Sequence, residues 1–254
     1  MSESVRTEQT GSVLLIAINR PEARNAIDGA VAESIAAALD RLDTSDDLAV
    51  GVLTGTGTVF SAGMDLKAFL SGESPALPGR GLAGMTQTPP RKPMIAAVEG
   101  WALAGGFELT LACDLVVAGQ SARFGVPEVK RSLVATGGAA LLLPTRIARP
   151  IAMELLLTGE PISAARAAEV GLVNYVVPDG RALDRAMELA SLIAANGPLA
   201  LQATKRIAAQ APDWTTQTRW DEQRIVSAPV FASEDAREGA RAFVEKRPAY
   251  WQGR

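Results

Sequence analysis

Two glutamates, Glu108 and Glu128, stand twenty residues apart in otherwise apolar stretches of a chain that contains no histidine. Glu108 follows Gly105-Gly106 in "AGGFELTLAC", and Glu128 follows a proline in "ARFGVPEVK". Without imidazole there is no Ser-His-Asp or Cys-His relay and no imidazole metal site. Proton transfer near neutral pH then falls to carboxylates, lysines, tyrosines or bound water. A Gly-Gly pair opening a helix offers unpaired N–H groups, a partial positive charge and no side chain to keep a ligand away. A carbonyl oxygen resting there is polarised, and an enolate oxygen formed from it is held more strongly still. A second glycine-led turn, Ala62-Gly63-Met64-Asp65, also opens a helix and can supply the partner N–H, with Asp65 just inside that helix. Two carboxylates flanking the carbon beside such a carbonyl suit acid–base work, one handling a water proton and the other exchanging a proton with the α-carbon.

Plainer readings stand beside these. An acid in the first turn of a helix also serves as dipole compensation, which covers Glu108, Glu128 and Asp65. The Gly-Gly pair also permits close packing of helix on strand. Cys113 lies in an apolar run and reads as a small core residue, since no base accompanies it. Trp101 suits core or pocket wall, and Lys130-Arg131 suits a solvated surface pair.

The elements that must position these groups follow from periodicity. Val5–Gln9 and Val13–Asn19 read as strands around Thr10-Gly11-Ser12. Asp28 is placed to cap a helix whose apolar positions are Val31, Ile35, Leu39 and Leu42. "LAVGVLTG" (48–55), "MIAAVEG" (94–100), "DLVVAG" (114–119) and "ARFGV" (122–126) read as further strands. Strand followed by helix, repeated, argues for a parallel sheet packed against helices. Ser71–Pro93, rich in Gly, Pro and Ser, reads as a long mobile loop or lid. Beyond Arg146 the pattern turns mostly helical, with a helix carrying Leu183, Met187, Ala190 and Ile193 stopped by Asn196-Gly197-Pro198. A boundary is expected there, giving an α/β core over residues 1–196 and a helical region over 197–254.

The 254 residues carry 28 acidic and 25 basic side chains, a net charge of −3 with no clustered basic run, which argues against nucleic-acid binding. The polar start "MSESVRTEQT" lacks the apolar core of a leader, and no run of about 18 apolar residues suggests a membrane span. One cysteine permits no internal disulfide, and a cytoplasmic setting is expected.

Taken together, "NRPEARNAI", "FSAGMDL", "KPMIAAVEGWALAGGFELTLACDLVVAG", "ARFGVPEVK", "LTGEPISAARAAEVGLVNYVV" and the tail "SEDAREGARAFVEKRPAYWQGR" resemble the crotonase superfamily, specifically enoyl-CoA hydratase/isomerase proteins. The resemblance covers essentially the whole chain. It implies an α/β fold, a spiral of repeated ββα units with a C-terminal helical region that builds homotrimers, commonly paired into hexamers. It implies a lyase that adds water across the 2,3 double bond of a 2-enoyl-CoA, with no metal and no cofactor beyond the coenzyme A of the substrate. By position, the backbone N–H groups of Met64 and Gly105 form the oxyanion hole, and Glu108 and Glu128 match the two catalytic glutamates. Retention of both favours a hydratase over an isomerase, which often keeps only the carboxylate matching Glu128. Ala62, Asp65, Leu66 and Lys67 would contact CoA, as would Phe243 and Lys246, from the same chain or from a neighbouring subunit. Two departures are visible. Thr136 replaces a glycine whose backbone helps hold the water, with its N–H expected to remain available, and Ala104 replaces the first of three glycines. The segment after Glu128 and the tail resemble a branch that includes carnitinyl-CoA dehydratase-like proteins. RNA-binding relatives exist in the superfamily, and the acidic balance argues against that role.

Overall fold

A computed structural model describes residues 3–254. The chain begins with an antiparallel hairpin, β1 (Val5–Thr10) and β2 (Val13–Ile18), turning at the expected Thr10-Gly11-Ser12. Helix α1 (Gly29–Thr44) is capped by Asp28, whose carboxylate accepts the Val31 N–H at 2.9 Å. Its buried face includes Val31, Ile35, Leu39 and Leu42. Next come β3 (Val50–Gly55), the short helix α2 (Leu66–Leu70), and a two-stranded hairpin of β4 (Ala76–Leu77) and β5 (Gly81–Leu82). Strands β6 (Met94–Val98) and β7 (Trp101–Leu103) lead into helix α3 (Gly105–Ala112), which is followed by β8 (Leu115–Gly119) and β9 (Arg123–Gly125). Beyond a 3-10 turn at Pro127–Arg131 lie α4 (Ala139–Arg146), α5 (Arg149–Thr158), β10 (Ile162–Ser163), α6 (Ala164–Glu169) and β11 (Tyr175–Val177). The rest is helical: α7 (Ala182–Ala194), α8 (Pro198–Gln210), α9 (Arg219–Ala232) and α10 (Glu234–Glu245).

Six strands form one sheet in the order β1-β2-β3-β6-β8-β11, parallel throughout except for the first hairpin. Because side chains alternate along a strand, the central strands β2, β3, β6 and β8 feed two cores. Leu14, Ile16 and Ile18 of β2 and Met94, Ala96 and Val98 of β6 face the larger one, which contains α1 and α3. Val13, Val50, Val52, Ile95, Ala97 and Val117 face the other, where Ala182, Ala186 and Ala190 let α7 lie close against the sheet. A second sheet, β10-β9-β7, pairs β7 with β9 in parallel and fixes the spacing between the segments that carry the two glutamates.

The segment expected to be an open lid is packed instead. Gly81 to Met85 are buried, with Leu82, Ala83 and Met85 in the main core. Arg80 pairs with Asp40, and Arg91 with Asp43, so both shoulders of the segment are tied to α1. Its glycines and prolines mark turns between apolar anchors. Among the described residues no helix is long and apolar enough to cross a membrane. Cys113 is buried in the core, and burial pushes its thiol up to about 12, so it is no nucleophile at neutral pH.

Candidate active site

Helix α3 is apolar on all sides and all eight of its residues are buried, as expected of a helix at the centre of a fold. Glu108 therefore sits in its first turn with only 4% of its surface exposed. The Gly105 N–H lies at the helix start, where it has no intrahelical partner. The Met64 N–H lies beside it: a Cβ at Gly105 would be 3.5 Å from the Met64 nitrogen, and one at Gly63 only 2.7 Å from the Gly105 nitrogen. Gly63 has φ +86° and Gly106 is pressed on the Ser61 backbone, so neither position has room for a side chain. Among the described residues neither the Met64 nor the Gly105 N–H donates a hydrogen bond.

The arrangement of the Met64 strand explains why its amide is free. Ile27 bridges it in parallel, with Ile27 N–H donating to Gly63 O at 2.8 Å and Asp65 N–H donating to Ile27 O at 2.9 Å. Successive peptide groups of an extended chain face opposite sides, so the Met64 N–H faces away from Ile27, toward Gly105.

Ala104, the residue before the donor, adopts φ +51° and ψ −127°. Its N–H donates to Gly125 O at 2.9 Å, and its carbonyl accepts the Glu108 N–H at 3.0 Å. The alanine that replaces glycine here is accommodated in a backbone conformation that favours glycine.

Glu128 is half-buried in the 3-10 turn after Pro127. Its Oε2 is the one buried side-chain oxygen or nitrogen, among the described residues, with no hydrogen-bond partner. Burial raises its proton affinity. Glu108 is pushed up to about 7 by burial above all, and the charge of Glu128 raises it further, so the two carboxyls share one electrostatic environment. The Ala139 N–H donates to Glu108 Oε1 at 3.1 Å and opposes that rise, as do the neighbouring amides of Gly137 and Gly138. A Cβ at Gly137 would collide with Glu108 Oε2, so a larger residue where the loop passes must displace the carboxylate.

The Thr136 amide is not available. It donates to Val134 O at 2.9 Å in a tight turn, and Thr136 itself is exposed. The turn follows Ser132, which closes the 3-10 segment in the left-handed region at φ +55°. The amides that reach a carboxylate are those of 137–139, which sequence reasoning missed; two adjacent glycines at 137 and 138 were the signal.

Asp65 lies at the N-cap of α2 and not inside it. One oxygen accepts the Lys67 and Ala68 N–H groups at 3.0 and 3.4 Å, while the other accepts from Arg20 at 3.0 Å. Its carboxylate is thus committed to the fold. Leu66 and Lys67 are exposed on α2. Ala62 is half-buried; its N–H donates to Arg24 O at 3.0 Å. Phe243 is 86% exposed on α10, and Lys246 ends that helix at φ +53°. Helix α10 packs chiefly on α9. Trp101 is partly exposed at 44%, and Lys130 pairs with Glu160 at 2.6 Å. No group of three or more His, Cys, Asp and Glu among the described residues is arranged to hold a metal ion.

A site with two free, adjacent amides on one side and a buried and a half-buried carboxyl on the other can polarise a carbonyl and move protons next to it. Comparison with known proteins agrees in kind. Residues 8–254 match the family described as enoyl-CoA hydratase/isomerase. The chain is 43% identical to the enoyl-CoA hydratase EchA19 of Mycobacterium tuberculosis, covering 97% of this chain and 96% of that protein. It is 39% identical to a carnitinyl-CoA dehydratase of Salmonella paratyphi A, with each chain fully covered. The crystal structure of enoyl-CoA hydratase EchA1 from Mycobacterium marinum superposes with a TM-score of 0.98 at 54% identity, again over the full length of both chains.

Proposed function

The chain belongs to the enoyl-CoA hydratase/isomerase family, and we propose that it is a hydro-lyase that adds water reversibly to a 2-enoyl-CoA through Glu108, Glu128 and the amides of Met64 and Gly105. The observation that carries this reading is the unpartnered buried Oε2 of Glu128, which shares a pocket of charge with Glu108 beside two amides that have no acceptor. The thioester oxygen accepts both N–H bonds. These strengthen as the oxygen gains charge, and losing one such donor typically costs about 2.7–4 kcal/mol of transition-state stabilisation. The ionised member of the pair takes a proton from water as the oxygen of that water bonds to C3. The π electrons move through C2 onto the thioester oxygen, giving an enolate. The protonated member then delivers its proton to C2 as the carbonyl re-forms. The pair ends with its proton exchanged between carboxyls, and the reverse sequence eliminates water from a 3-hydroxyacyl-CoA. Electrophilic activation comes from backbone and proton transfer from carboxyls, so the scheme needs no further cofactor.

The Ala62 to Lys67 segment, next to the Met64 donor, is the proposed CoA contact, with the Lys67 ammonium suited to phosphate. Asp65 serves there as the cap that shapes the segment. The helices after Gly197 expose Trp220, Ile225, Phe231, Phe243 and Val244, a large apolar surface for a single chain. We read it as the contact face of a homotrimer or homohexamer, which would bring Phe243 and Lys246 to the CoA of an adjoining subunit. Light scattering at several concentrations checks the assembly.

The activity is tested by supplying crotonyl-CoA and longer or bulkier 2-enoyl-CoAs and following loss of the conjugated thioester absorbance. Hydration of at least one is expected. A folded protein inert on all of them, yet able to shift a 3-enoyl bond, would replace this reading with an isomerase.

A further inference from the structure

The oxyanion donors are held from behind by a buried polar network that the reaction scheme does not use. Ser61 is fully buried, at 0% exposure. Its Oγ donates to Asn25 O at 2.8 Å and accepts the Gly63 N–H at 3.1 Å. Its backbone joins β7, with Ser61 N–H donating to Trp101 O and Leu103 N–H donating to Ser61 O, both at 3.0 Å. Gly106, next to the Gly105 donor, lies directly on the Ser61 backbone. One residue therefore touches both halves of the oxyanion hole, the Met64 strand through its hydroxyl and the α3 start through its main chain.

Asn25 completes the anchor. It is also fully buried, at φ +52°, and its side-chain amide donates to Thr56 O at 2.9 Å and to Val59 O at 2.6 Å. Its Oδ1 accepts the Arg20 N–H at 2.9 Å. The peptide that carries the Met64 N–H is held at its carbonyl, Gly63 O, by the Ile27 N–H, and the peptide before it is held at the Gly63 N–H by Ser61, so Gly63 is fixed from both ends. The geometry points to Ser61, anchored by Asn25, as a positioning residue for the Met64 amide. This rests on the oxyanion-hole reading above and adds to it the device that aims the donor.

Removing the hydroxyl leaves the Gly63 N–H and the Asn25 carbonyl without partners in a dry interior, which loosens the Ala62–Gly63 peptide leading into the Met64 donor while the Ile27 bond to Gly63 O remains. Ser61→Ala is expected to lower kcat on crotonyl-CoA about 10- to 100-fold while KM moves less than about threefold, because a donor aimed at the transition state is misplaced while substrate contacts persist. A second readout needs no turnover. Butyryl-CoA carrying carbon-13 at its thioester carbonyl is bound to the full chain, and the carbonyl stretch is read by infrared difference. Wild type should lower the stretch relative to solution, and the folded Ser61→Ala variant should return it most of the way. Should the alanine variant fail to fold, Ser61→Cys, of similar size but weaker in both hydrogen bonds, carries the same comparison. A wild-type stretch and kcat in the folded variant overturn the positioning role alone. A wild-type protein that binds butyryl-CoA without moving the stretch overturns the oxyanion reading and this inference with it.

Discussion

The two sides of the site are built by opposite rules. On the oxyanion side the donors belong to the backbone, and the groups behind them are paired: Ile27 with Gly63 and Asp65, Ser61 with Asn25 and Gly63, Arg20 with Asp28 and Asp65. On the carboxylate side the working groups are side chains, one oxygen has no partner, and burial lifts both proton affinities. Polarising a carbonyl calls for dipoles that do not reorganise, so rigidity serves it. Passing protons calls for groups whose charge changes near neutral pH, so tuned burial serves that instead.

The hardest test of this contrast is removal of the titrating groups. Glu108→Gln and Glu128→Gln are each expected to lower kcat for hydration by about 10²- to 10⁴-fold with KM little changed, since the amide keeps the shape but cannot exchange the proton. Thioester absorbance assays on both variants check it. Full activity in both would sink the two-glutamate scheme. Next in size is Gly137→Ala, whose methyl must displace the Glu108 carboxylate. Overpacking of this kind costs about 1–3 kcal/mol of stability, and we expect kcat to fall at least about 10-fold from the lost alignment. A chevron or urea titration beside the kinetics separates the two effects.

The contrast also explains what could be read from the sequence. Strands such as MIAAV and VGVLTG are continuous apolar runs, so their place in a two-sided parallel sheet is legible, and the absence of histidine directs attention to carboxylates near a helix start. The Gly105 N–H is legible too, because any helix start leaves its amides unpaired. Three features are not legible. Burial of Gly81–Met85 overrides a composition that signals a loop. The Thr136 amide is taken by Val134 O in a tight turn that the local composition does not signal. The aim of the Met64 amide depends on Ile27, which lies 37 residues away and is bridged to it only in the folded chain. Local pattern reports helix starts and apolar faces, whereas the direction of a single peptide is set by long-range pairing.

A smaller effect, with a sign that can be worked out, follows from Glu108. Its value rises from 4.5 to about 7 on folding, so the fold favours the protonated acid. The stability this group contributes is fully present below its unfolded value and is lost as pH rises through about 7. The ionised, buried carboxylate then costs on the order of 3–4 kcal/mol, at about 1.4 kcal/mol for each pH unit of the shift. Glu108→Gln cannot ionise and keeps an acceptor for the Ala139 N–H. It should therefore melt close to wild type at pH 5 and above it at pH 8, while being the less active enzyme at both. Equal melting temperatures at pH 8 would show that the carboxylate side carries no such penalty.

The smallest effect tests the rigid side. Ala104 holds φ +51° and ψ −127° just before the Gly105 donor, and its methyl faces Gly63 so closely that a Cβ there would be 2.8 Å away. A non-glycine residue in such a region stores about 1–3 kcal/mol of strain. Ala104→Gly releases it but loses about 0.5–1 kcal/mol to the greater freedom of the unfolded chain. The net expectation is a gain of about 1 kcal/mol, or about 2–4 °C in Tm for a chain of this size. Stability and function should then diverge: the methyl that wedges Ala104 against Gly63 also restrains the peptide leading into Gly105, so its removal should leave KM unchanged and lower kcat by no more than about threefold. A rise in Tm with this small fall in kcat would show that the oxyanion side keeps its aim through strain as well as hydrogen bonds. A fall in Tm would show that the contact with Gly63 outweighs the strain, and that packing and hydrogen bonds hold the donor without it.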